Sequence, residues 1–351
     1  MKSDNNFGDI APPIHLSTIF TQKSPGEHLG FEYSRIGNPT REGLEKELAK
    51  LEKGKFALTF SSGTAAAATV LASLSAGDHI LCSQDVYEGT FRLLQKVFKK
   101  FDVSFSFVDF SKVDSLEKSI KPNTKLIWFE NLTNPLLKVI DTQKIVRITK
   151  KSSVLVLVDN TFATPIFRNP LLEGADIVLH SLTKFIGGHH DITAGALIGN
   201  NQQLFENLNF LQHTIGATPS PFDCFLVLRS IKSLSVRMSQ HTKNAKVVTR
   251  FLKSCDKIEK VNFPGFSGMV SFWVKGDQNE TVQFLEKLKH IKITQSLGGP
   301  DTIVQHPRAM MTFSLSNREL DRLGITTNLV RMSVGIENVS IIIEDIQKAL
   351  N

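Results

Sequence analysis

Lys184 lies in the segment HSLTKFIGGHHD (180–191), directly after a short apolar run, between Ser181 and Thr183 and before a glycine pair. A lysine at the end of a core strand loses solvation, which lowers its pKa and suits an amine that forms a Schiff base with a carbonyl. The segment alone also permits an ordinary surface charge or a metal site at HHD (189–191). Adjacent histidines on regular structure point in different directions, and no third ligand has a recognisable spacing, so we expect no metal.

Asp159 ends the apolar run SVLVLVD, twenty-five residues before Lys184. Pyridoxal phosphate needs a lysine for its aldehyde and an acid that keeps its pyridine nitrogen protonated. Asp159 alone could equally be a helix N-cap. Together, the two residues favour a pyridoxal phosphate site.

The segment FSSGTAAAA places Ser62, Gly63 and Thr64 at the start of a predicted helix that follows an apolar strand. Backbone N–H groups at such a helix N-terminus bind anions. The segment lacks both the GK[ST] ending of the nucleotide P-loop and the later glycines of GxGxxG. It therefore predicts a site for one phosphate, to which the hydroxyls of Ser181 and Thr183 can add.

Tyr87, in DVYEGTFR, follows the next predicted strand. Its ring could stack on a flat cofactor and its hydroxyl could act as an acid or a base, although a rim aromatic is the simpler interpretation. The chain has 25 phenylalanines but only two tyrosines, Tyr33 and Tyr87. This bias indicates that the two phenols are kept for their hydroxyl groups.

The elements that must position these residues alternate between about residues 60 and 200. Short, fully apolar runs separated by helix-length segments are typical of a parallel sheet that is covered on both faces, with ligands at the carboxyl ends of its strands. The predicted strands are HILCS (79–83), VSFSFVDF (103–110), KLIWFE (125–130), SVLVLVD (153–159), DIVLH (176–180) and AGALIG (194–199). A long helical pattern is predicted over 200–240, and a second α/β portion runs from about 245 to the end. We expect an arm and helix over 1–55, a large domain over 56–240 and a smaller domain over 241–351.

Composition narrows the class of protein. The chain has 351 residues, 41% of them hydrophobic, and no apolar run approaches the roughly 18 to 20 residues of a membrane helix. The N-terminus has no targeting pattern, and three widely spaced cysteines fit the reducing cytoplasm. The formal charge of +7 is diffuse rather than clustered. We therefore expect a cytoplasmic protein that binds neither a membrane nor nucleic acid.

Across nearly its whole length the chain resembles the Cys/Met-metabolism family of pyridoxal-phosphate enzymes, which act in trans-sulfuration. The matching motifs, in the family's order, are PPIHLSTIF (12–20), YSRIGNPTR (33–41), SSGTAA, DVYEGT, TNPLLKVID (133–141), VDNTF, HSLTKFIGGHHD, QSLGG (295–299) and VRMSVGIE (330–337). The resemblance implies the type I, aspartate-aminotransferase-like α/β fold. It also implies a homotetramer built from two dimers whose active sites are shared between subunits.

The resemblance assigns roles to residues of this chain. Lys184 is implied to carry the cofactor and to transfer protons, with Asp159 at the pyridine nitrogen and Tyr87 stacked on the ring. The phosphate is assigned to Gly63, Thr64, Ser181 and Thr183, and to Tyr33 and Arg35 of a neighbouring subunit. The substrate and its α-carboxylate are assigned to Asn134, Gln295, Ser296 and Arg331, for which arginine's planar fork is suited.

Within the family, SPGEHLGFEYSRIGNPTR and FSGMVSFWVKG are similar to segments of eukaryotic cystathionine γ-lyases. That similarity implies α,γ-elimination of L-cystathionine to L-cysteine, 2-oxobutanoate and ammonia. Gly89, where methionine γ-lyases carry a cysteine, weighs against that activity. Departures from the family pattern are Gln295 in place of a glutamate, Phe313 in place of a histidine, Pro300 after SLGG, and a short junction over 262–270. The alternatives are a cystathionine γ-synthase or β-lyase, or a catalytically weak homologue that acts as a binding protein.

Overall fold

The computed structural model describes residues 8–150, 153–311 and 316–351. Its strands are β1 (Gln22–Ser24), β2 (Glu27–His28), β3 (Phe56–Phe60), β4 (His79–Ser83), β5 (Ser104–Val108), β6 (Thr124–Glu130), β7 (Leu155–Asp159), β8 (Ile177–Ser181), β9 (Gly195–Gly199), β10 (Ile258–Asn262), β11 (Met269–Val274), β12 (Lys292–Ile293), β13 (Ile303–Gln305) and β14 (Leu329–Ser333).

The helices of the same residues are α1 (Pro39–Glu52), α2 (Gly63–Ala72), α3 (Glu88–Arg92), α4 (Val113–Ser119), α5 (Thr142–Thr149), α6 (Thr164–Phe167), α7 (Gln202–Ile215), α8 (Pro221–Ile231), α9 (Leu234–Ser254), α10 (Gln278–Lys287), α11 (Pro307–Met310), α12 (Asn317–Leu323) and α13 (Val339–Leu350). A π-helical turn and a 3₁₀ turn continue α3 over Leu93–Val97 and Phe98–Phe101.

The larger sheet has seven strands in the order β3-β9-β8-β7-β6-β4-β5. Neighbouring strands are parallel except at β9, which runs antiparallel to both β3 and β8. The predicted α/β class with a mainly parallel sheet is thus confirmed. The six predicted strands over 79–199 are all present; β5, β7 and β9 are one to three residues shorter than the apolar runs suggested, and β6 is one residue longer.

Helices cover both faces of this sheet, which explains why its central strands β7, β8 and β9 are mostly apolar. Along β8, Val178 packs into a core with α1 and α8, whereas Ile177 and Leu179 pack into a second core with α2. Successive side chains of a strand point to opposite faces, so a short run of apolar residues supplies both cores.

The smaller sheet has the order β10-β11-β14-β13-β12, antiparallel except for the pair β12 and β13. Helices α9, α10 and α13 contribute to its core. The short junction over 262–270 connects β10 to β11, and these two strands pair with each other directly. Ser271, on β11, donates its hydroxyl hydrogen to the carbonyl oxygen of Pro135 at 2.6 Å and so joins this sheet to the loop that follows β6.

The helical pattern predicted over 200–240 forms three helices instead of one. Helix α7 ends at Ile215 and is capped by Gly216, whose φ of +82° is a conformation that favours glycine. Helix α8 begins at Pro221, and the side chain of Ser220 caps it. Helix α9 continues without a break past residue 241, where the smaller domain was expected to begin. No helix in the described ranges is long and apolar enough to cross a membrane.

Candidate active site

A cavity of about 280 Å³ opens at the carboxyl ends of the parallel strands. Its size suits a small ligand. Eleven of the thirteen predicted site residues line it: Gly63, Thr64, Tyr87, Asn134, Asp159, Ser181, Thr183, Lys184, Gln295, Ser296 and Arg331. Residues separated by more than 260 positions in the chain therefore meet in one place.

Lys184 lies three residues after β8, and its side chain enters the cavity. Its Nζ donates a hydrogen bond to Ser296 Oγ at 2.6 Å. Burial, and secondarily the positive charge of Arg331, lower the pKa of the Lys184 amine to about 8. The amine is therefore far closer to its neutral, nucleophilic form near pH 7 than an exposed lysine is.

The two glycines after Lys184 allow the chain to turn tightly. Gly188 has a φ of +67°, and a Cβ atom there would lie 2.0 Å from Nη1 of Arg237. In the HHD triplet, His189 Nδ1 donates to the carbonyl oxygen of Gly187 at 2.6 Å, and the ring of His190 fills the space beside Gly299. No group of three or more metal-binding side chains occurs within 8–150, 153–311 and 316–351.

Asp159 and Glu130 end adjacent parallel strands and are direct partners in the β6–β7 register. Asp159 Oδ1 accepts a hydrogen bond from the backbone N–H of Thr161 at 2.9 Å. Glu130 accepts from the backbone N–H groups of Tyr87 at 2.5 Å and Asn134 at 3.0 Å. Burial, followed by the charge of Asp159, raises the pKa of Glu130 well above its ordinary value, and burial also raises the pKa of Asp159.

The residues predicted to bind an anion lie together where the start of α2 meets the lysine loop. Ser62 caps α2 by accepting from the backbone N–H of Ala65 at 3.0 Å. A Cβ atom at Gly63 would lie 3.0 Å from Ser181 Cβ, so the glycine lets the two segments approach. The Thr183 hydroxyl accepts from the N–H of Ala194 at 3.0 Å, and its hydrogen points to the Ala194 carbonyl oxygen at a longer 3.3 Å. That weaker bond leaves the Thr183 hydrogen able to turn toward an anion.

Tyr87 lies at the mouth of the cavity, where its side chain is 42% exposed. Burial, followed by the charge of Glu88, raises the pKa of its phenol. A Cβ atom at Gly89 would lie 2.3 Å from the Tyr87 ring. A cysteine at position 89, as in methionine γ-lyases, would therefore require the Tyr87 ring to move from the position it has here.

Arg331 contributes a buried positive charge to the cavity. Its guanidinium donates to Asn134 Oδ1 at 2.8 Å and to the carbonyl oxygen of Ser296 at 2.9 Å. Burial lowers the pKa of Arg331 to about 10, so the side chain remains cationic near neutral pH. Ser296 has a φ of +77°, a strained conformation of the kind that is often retained at functional sites.

Gln295 lines the edge of the cavity, and its Nε2 donates to the carbonyl oxygen of Met310 at 3.3 Å. Pro300 accepts a backbone hydrogen bond from Ile336 at 2.8 Å. Phe313 lies outside the described residues. The remaining two predicted residues, Tyr33 and Arg35, do not line the cavity of their own chain: Arg35 donates to the carbonyl oxygen of His213 and stacks on the Tyr33 ring, with 5.4 Å from Cζ to the ring centroid.

Six polar residues that line the cavity had no predicted role: Glu88, Thr90, Glu130, Thr161, Thr193 and Gln305. Glu130 and Thr161 lie in the polar segments ENLTNP and VDNTF at the ends of predicted strands, and this position is the sequence feature that could have indicated them. Glu88 follows Tyr87 directly, and its Oε2 is buried without a hydrogen-bond partner in the described structure. Gln305 lies on β13 opposite Arg331, a pairing that no local pattern indicates.

These side chains fit pyridoxal phosphate. They provide an amine of lowered pKa for the aldehyde, a buried carboxylate for the pyridine nitrogen and a helix N-terminus with hydroxyls for the phosphate. The phenol at the mouth provides an aromatic face for the ring. Arg331 and Asn134 remain available for an amino-acid substrate. Fold and site together define a cofactor-dependent enzyme of the pyridoxal-phosphate class.

Comparison with known proteins identifies the family. The model of the Cys/Met metabolism PLP-dependent enzyme family matches residues 1–351, and the chain belongs to this family of trans-sulfuration enzymes. It is 43% identical to a cystathionine γ-lyase of Dictyostelium discoideum, over 99% of this chain and 95% of the relative. It is 41% identical to a cystathionine β-lyase of Coxiella burnetii, again over 99% and 95%.

A solved structure agrees with this assignment. The cystathionine γ-lyase of Lactobacillus plantarum, solved in complex with L-serine, is 35% identical and superposes with a TM-score of 0.95 over 99% of this chain and 95% of that chain. The predicted family, fold and cofactor are thereby confirmed, whereas the particular trans-sulfuration reaction is left to be tested.

Proposed function

We propose that this protein catalyses the α,γ-elimination of L-cystathionine, which with one water gives L-cysteine, 2-oxobutanoate and ammonia. The observation that carries the proposal is the placement of Lys184, Asp159 and Arg331 around one cavity. The two relatives named above are a γ-lyase and a β-lyase, at 43% and 41% identity, so identity alone does not distinguish γ-elimination from β-elimination.

Arg331 holds the substrate α-carboxylate in this proposal, with help from Asn134 and Ser296. The fork of the guanidinium matches a carboxylate, and its bond to Asn134 Oδ1 fixes the plane of the fork. Burial in the cavity strengthens this interaction because water cannot screen it well. Arg331 thus orients the substrate so that its Cα hydrogen points to one base.

Lys184 is that base. When bound, pyridoxal phosphate withdraws electrons from the substrate Cα, which makes the Cα hydrogen acidic. Lys184 Nζ takes the proton from Cα, would release it to the C4′ atom of the bound cofactor, and, neutral again, takes one from Cβ. Its lowered pKa of about 8 places the amine near the value that suits a general base at neutral pH. The hydrogen bond to Ser296 Oγ fixes the direction of Nζ between transfers.

Asp159, Gly63, Thr64, Ser181, Thr183 and Tyr87 hold the cofactor in this proposal. Asp159 faces the pyridine nitrogen, the start of α2 and the two hydroxyl residues of the lysine loop bind the phosphate, and Tyr87 covers the ring. Gln295 lies where the far end of a long substrate would reach, and it offers an amide rather than a charge.

We also propose that the working enzyme is a homotetramer of two dimers in the cytoplasm. The segment before α1 has large apolar side chains that are exposed in the single chain, among them Ile10 at 105%, Leu16 at 67% and Ile19 at 71%. Such an arm is suited to lie on a second copy, where Tyr33 and Arg35 would reach the neighbour's phosphate site. The three free thiols fit a reducing compartment.

The deciding experiment identifies the oxo acid released from L-cystathionine by purified protein supplied with pyridoxal phosphate. We expect 2-oxobutanoate together with cysteine. Pyruvate with homocysteine would replace the proposal by β-elimination. A coloured, cofactor-loaded protein that releases neither oxo acid from cystathionine, homoserine or cysteine would favour the catalytically weak homologue.

A further inference from the structure

One face of α9 contacts the backbone on both sides of the active site. The face carries Arg237, His241 and Asn244, which we call the α9 stripe. Residues spaced by four and three positions lie on the same side of a helix, and all three side chains are buried. The stripe does not line the cavity.

Arg237 binds the loop that follows Lys184. Its guanidinium donates to the carbonyl oxygens of Phe185 at 2.6 Å and Ile186 at 3.1 Å, and to that of Ser230 at 3.0 Å. The first two carbonyls belong to the residues directly after Lys184. Gly188 leaves the space that the guanidinium occupies. The lysine loop therefore wraps around a buried cation.

His241 and Asn244 bind the segment that follows Arg331. His241 Nδ1 donates to the carbonyl oxygen of Val334 at 2.7 Å, just beyond the end of β14. Asn244 Nδ2 donates to the carbonyl oxygens of Gly335 at 3.0 Å and Glu337 at 2.8 Å. The His241 ring also meets the edge of the Phe185 ring, with the centroids 5.2 Å apart.

The stripe thus spans the two segments that carry the site's cations. Residues 237 and 244 are seven positions apart, which corresponds to about 10 Å along a helix axis. A helix is stiffer than the loops at either end, so it fixes their separation. Ser296 contacts the side chains of Lys184 and Arg331 within the cavity. Helix α9, outside the cavity, contacts the backbone that follows each of these two residues.

Burying the charge of Arg237 lowers the stability of the fold. No carboxylate lies within ion-pair distance of Arg237 among the described residues, so only neutral carbonyl and hydroxyl groups solvate its charge. A buried cation without a counter-ion is less favourable than an apolar side chain of the same volume. Packing alone therefore gives no reason for an arginine, whereas fixing several carbonyl groups at once does.

We propose that the α9 stripe is a positioning element for the reaction: Arg237 sets the orientation of the loop that carries Lys184, and Asn244, with His241, sets the strand end that carries Arg331. The inference rests on the roles proposed above for these two cations. A proton transfer at Cα requires the base within about 3 Å while the carboxylate stays bound, so the spacing of Lys184 and Arg331 limits the rate.

The test compares Arg237→Met and Asn244→Leu in the cofactor-loaded protein with Arg250→Met, which changes an exposed arginine of the same helix. Two readouts need no turnover: the pH midpoint of the visible absorption of the lysine-bound cofactor, and the dissociation constant of added glycine measured from that absorption. The first reports on the surroundings of Lys184, and the second reports on Arg331.

We expect Arg237→Met to move the pH midpoint by about half a unit or more, and to change glycine binding by less than about twofold. Asn244→Leu is expected to weaken glycine binding by about fivefold or more without moving the midpoint. Arg250→Met should change neither. Arg237→Lys, which keeps a donor, should give an intermediate midpoint and provides a usable variant if the methionine variant does not fold.

The proposal is overturned if the stripe variants lose only thermal stability while both readouts match the parent, or if both readouts change equally in both variants. The release of oxo acid from cystathionine is measured separately. A parent that releases none refutes the proposed reaction, and the two binding readouts still decide the role of the stripe.

Discussion

Lys184 and Ser296 are joined by a hydrogen bond of 2.6 Å, and Ser296 makes this bond from left-handed backbone with a φ of +77°. The same residue accepts from Arg331 through its carbonyl oxygen. One strained residue therefore contacts both cations of the site. The strain of roughly 1–3 kcal/mol expected for such a conformation is balanced by placing a hydroxyl and a carbonyl toward two buried donors.

The buried amine predicts a specific dependence of stability on pH. The pKa of Lys184 is about 8 in the folded protein and about 10.4 in an unfolded chain. Between these values the unfolded state binds more protons, so the stability of the apoprotein gains a contribution as pH rises. Lys184→Met lacks this contribution. The stability difference between Lys184→Met and the parent should therefore shrink by roughly 3 kcal/mol from pH 7 to 10.5.

Urea unfolding of the two apoproteins at several pH values measures this difference. Lys125→Met, at an exposed position of β6, is the control and should follow the parent at every pH. Parallel stability curves for the parent and Lys184→Met would contradict the lowered pKa.

Arg331 should be sensitive even to a conservative change. Lysine keeps the charge but cannot offer a planar fork to a carboxylate or hold Asn134 and Ser296 at once. We expect Arg331→Lys to lower kcat/KM by roughly 30- to 1000-fold, which corresponds to a loss of about 2–4 kcal/mol of transition-state stabilisation, mostly through a higher KM. Steady-state kinetics with cystathionine provide the measurement, and Arg250→Lys is the matched control on an exposed arginine. A KM equal to the parent's would remove Arg331 from the carboxylate site.

The charge of Glu88 should contribute to the raised pKa of Tyr87. Burial and then the Glu88 charge raise the phenol pKa, so Glu88→Gln should lower it toward about 10. Because the chain has only two tyrosines, a Tyr33→Phe background leaves one phenol to titrate by its ultraviolet absorption. Glu344→Gln, at an exposed glutamate, should leave the midpoint unchanged. An upward or absent shift in Glu88→Gln would exclude the interaction.

Gln295→Glu should discriminate between long and short substrates. The new carboxylate at the cavity edge would attract the distal ammonium of cystathionine, which homoserine lacks. We expect KM for cystathionine to fall by about two- to fivefold and KM for homoserine to stay unchanged, an effect that higher salt weakens. Competition kinetics at two salt concentrations give the measurement. Equal changes for both substrates would place Gln295 away from the distal end.

The sequence predicted the parts of the site that end single strands. Lys184 and Asp159 follow unbroken apolar runs, and burial of those runs requires their polar ends to meet at one edge of the sheet. Glu130 was missed because its register with Asp159 depends on strand order, which no local spacing reveals. The antiparallel direction of β9 was not predictable for a similar reason, because AGALIG is equally apolar in either direction.

The α9 stripe shows a second feature that the sequence pattern alone does not predict. Arg237, His241 and Asn244 belong to a helical pattern in which charged and polar residues usually indicate a solvated face. Only the packing of α9 against both the lysine loop and the end of β14 makes that face an interior one. Long-range packing, rather than helix propensity, therefore determines that these residues are buried.

The proposed sharing of sites between subunits makes a complementation prediction. Lys184→Ala and the double variant Tyr33→Phe/Arg35→Ala should each be inactive alone, because one lacks the base and the other lacks the arm residues proposed to reach the neighbour's phosphate. If the arm serves the neighbouring subunit, a mixed dimer contains one site with an intact lysine and an intact arm. Unfolding and refolding the two variants together should then restore roughly a quarter of the parent's activity, since half of the dimers are mixed. Activity of the refolded mixture in the cystathionine assay, with each variant refolded alone as the control, measures this. If the arm instead served its own chain, every site of the mixed dimer would lack one part, and the mixture would remain inactive.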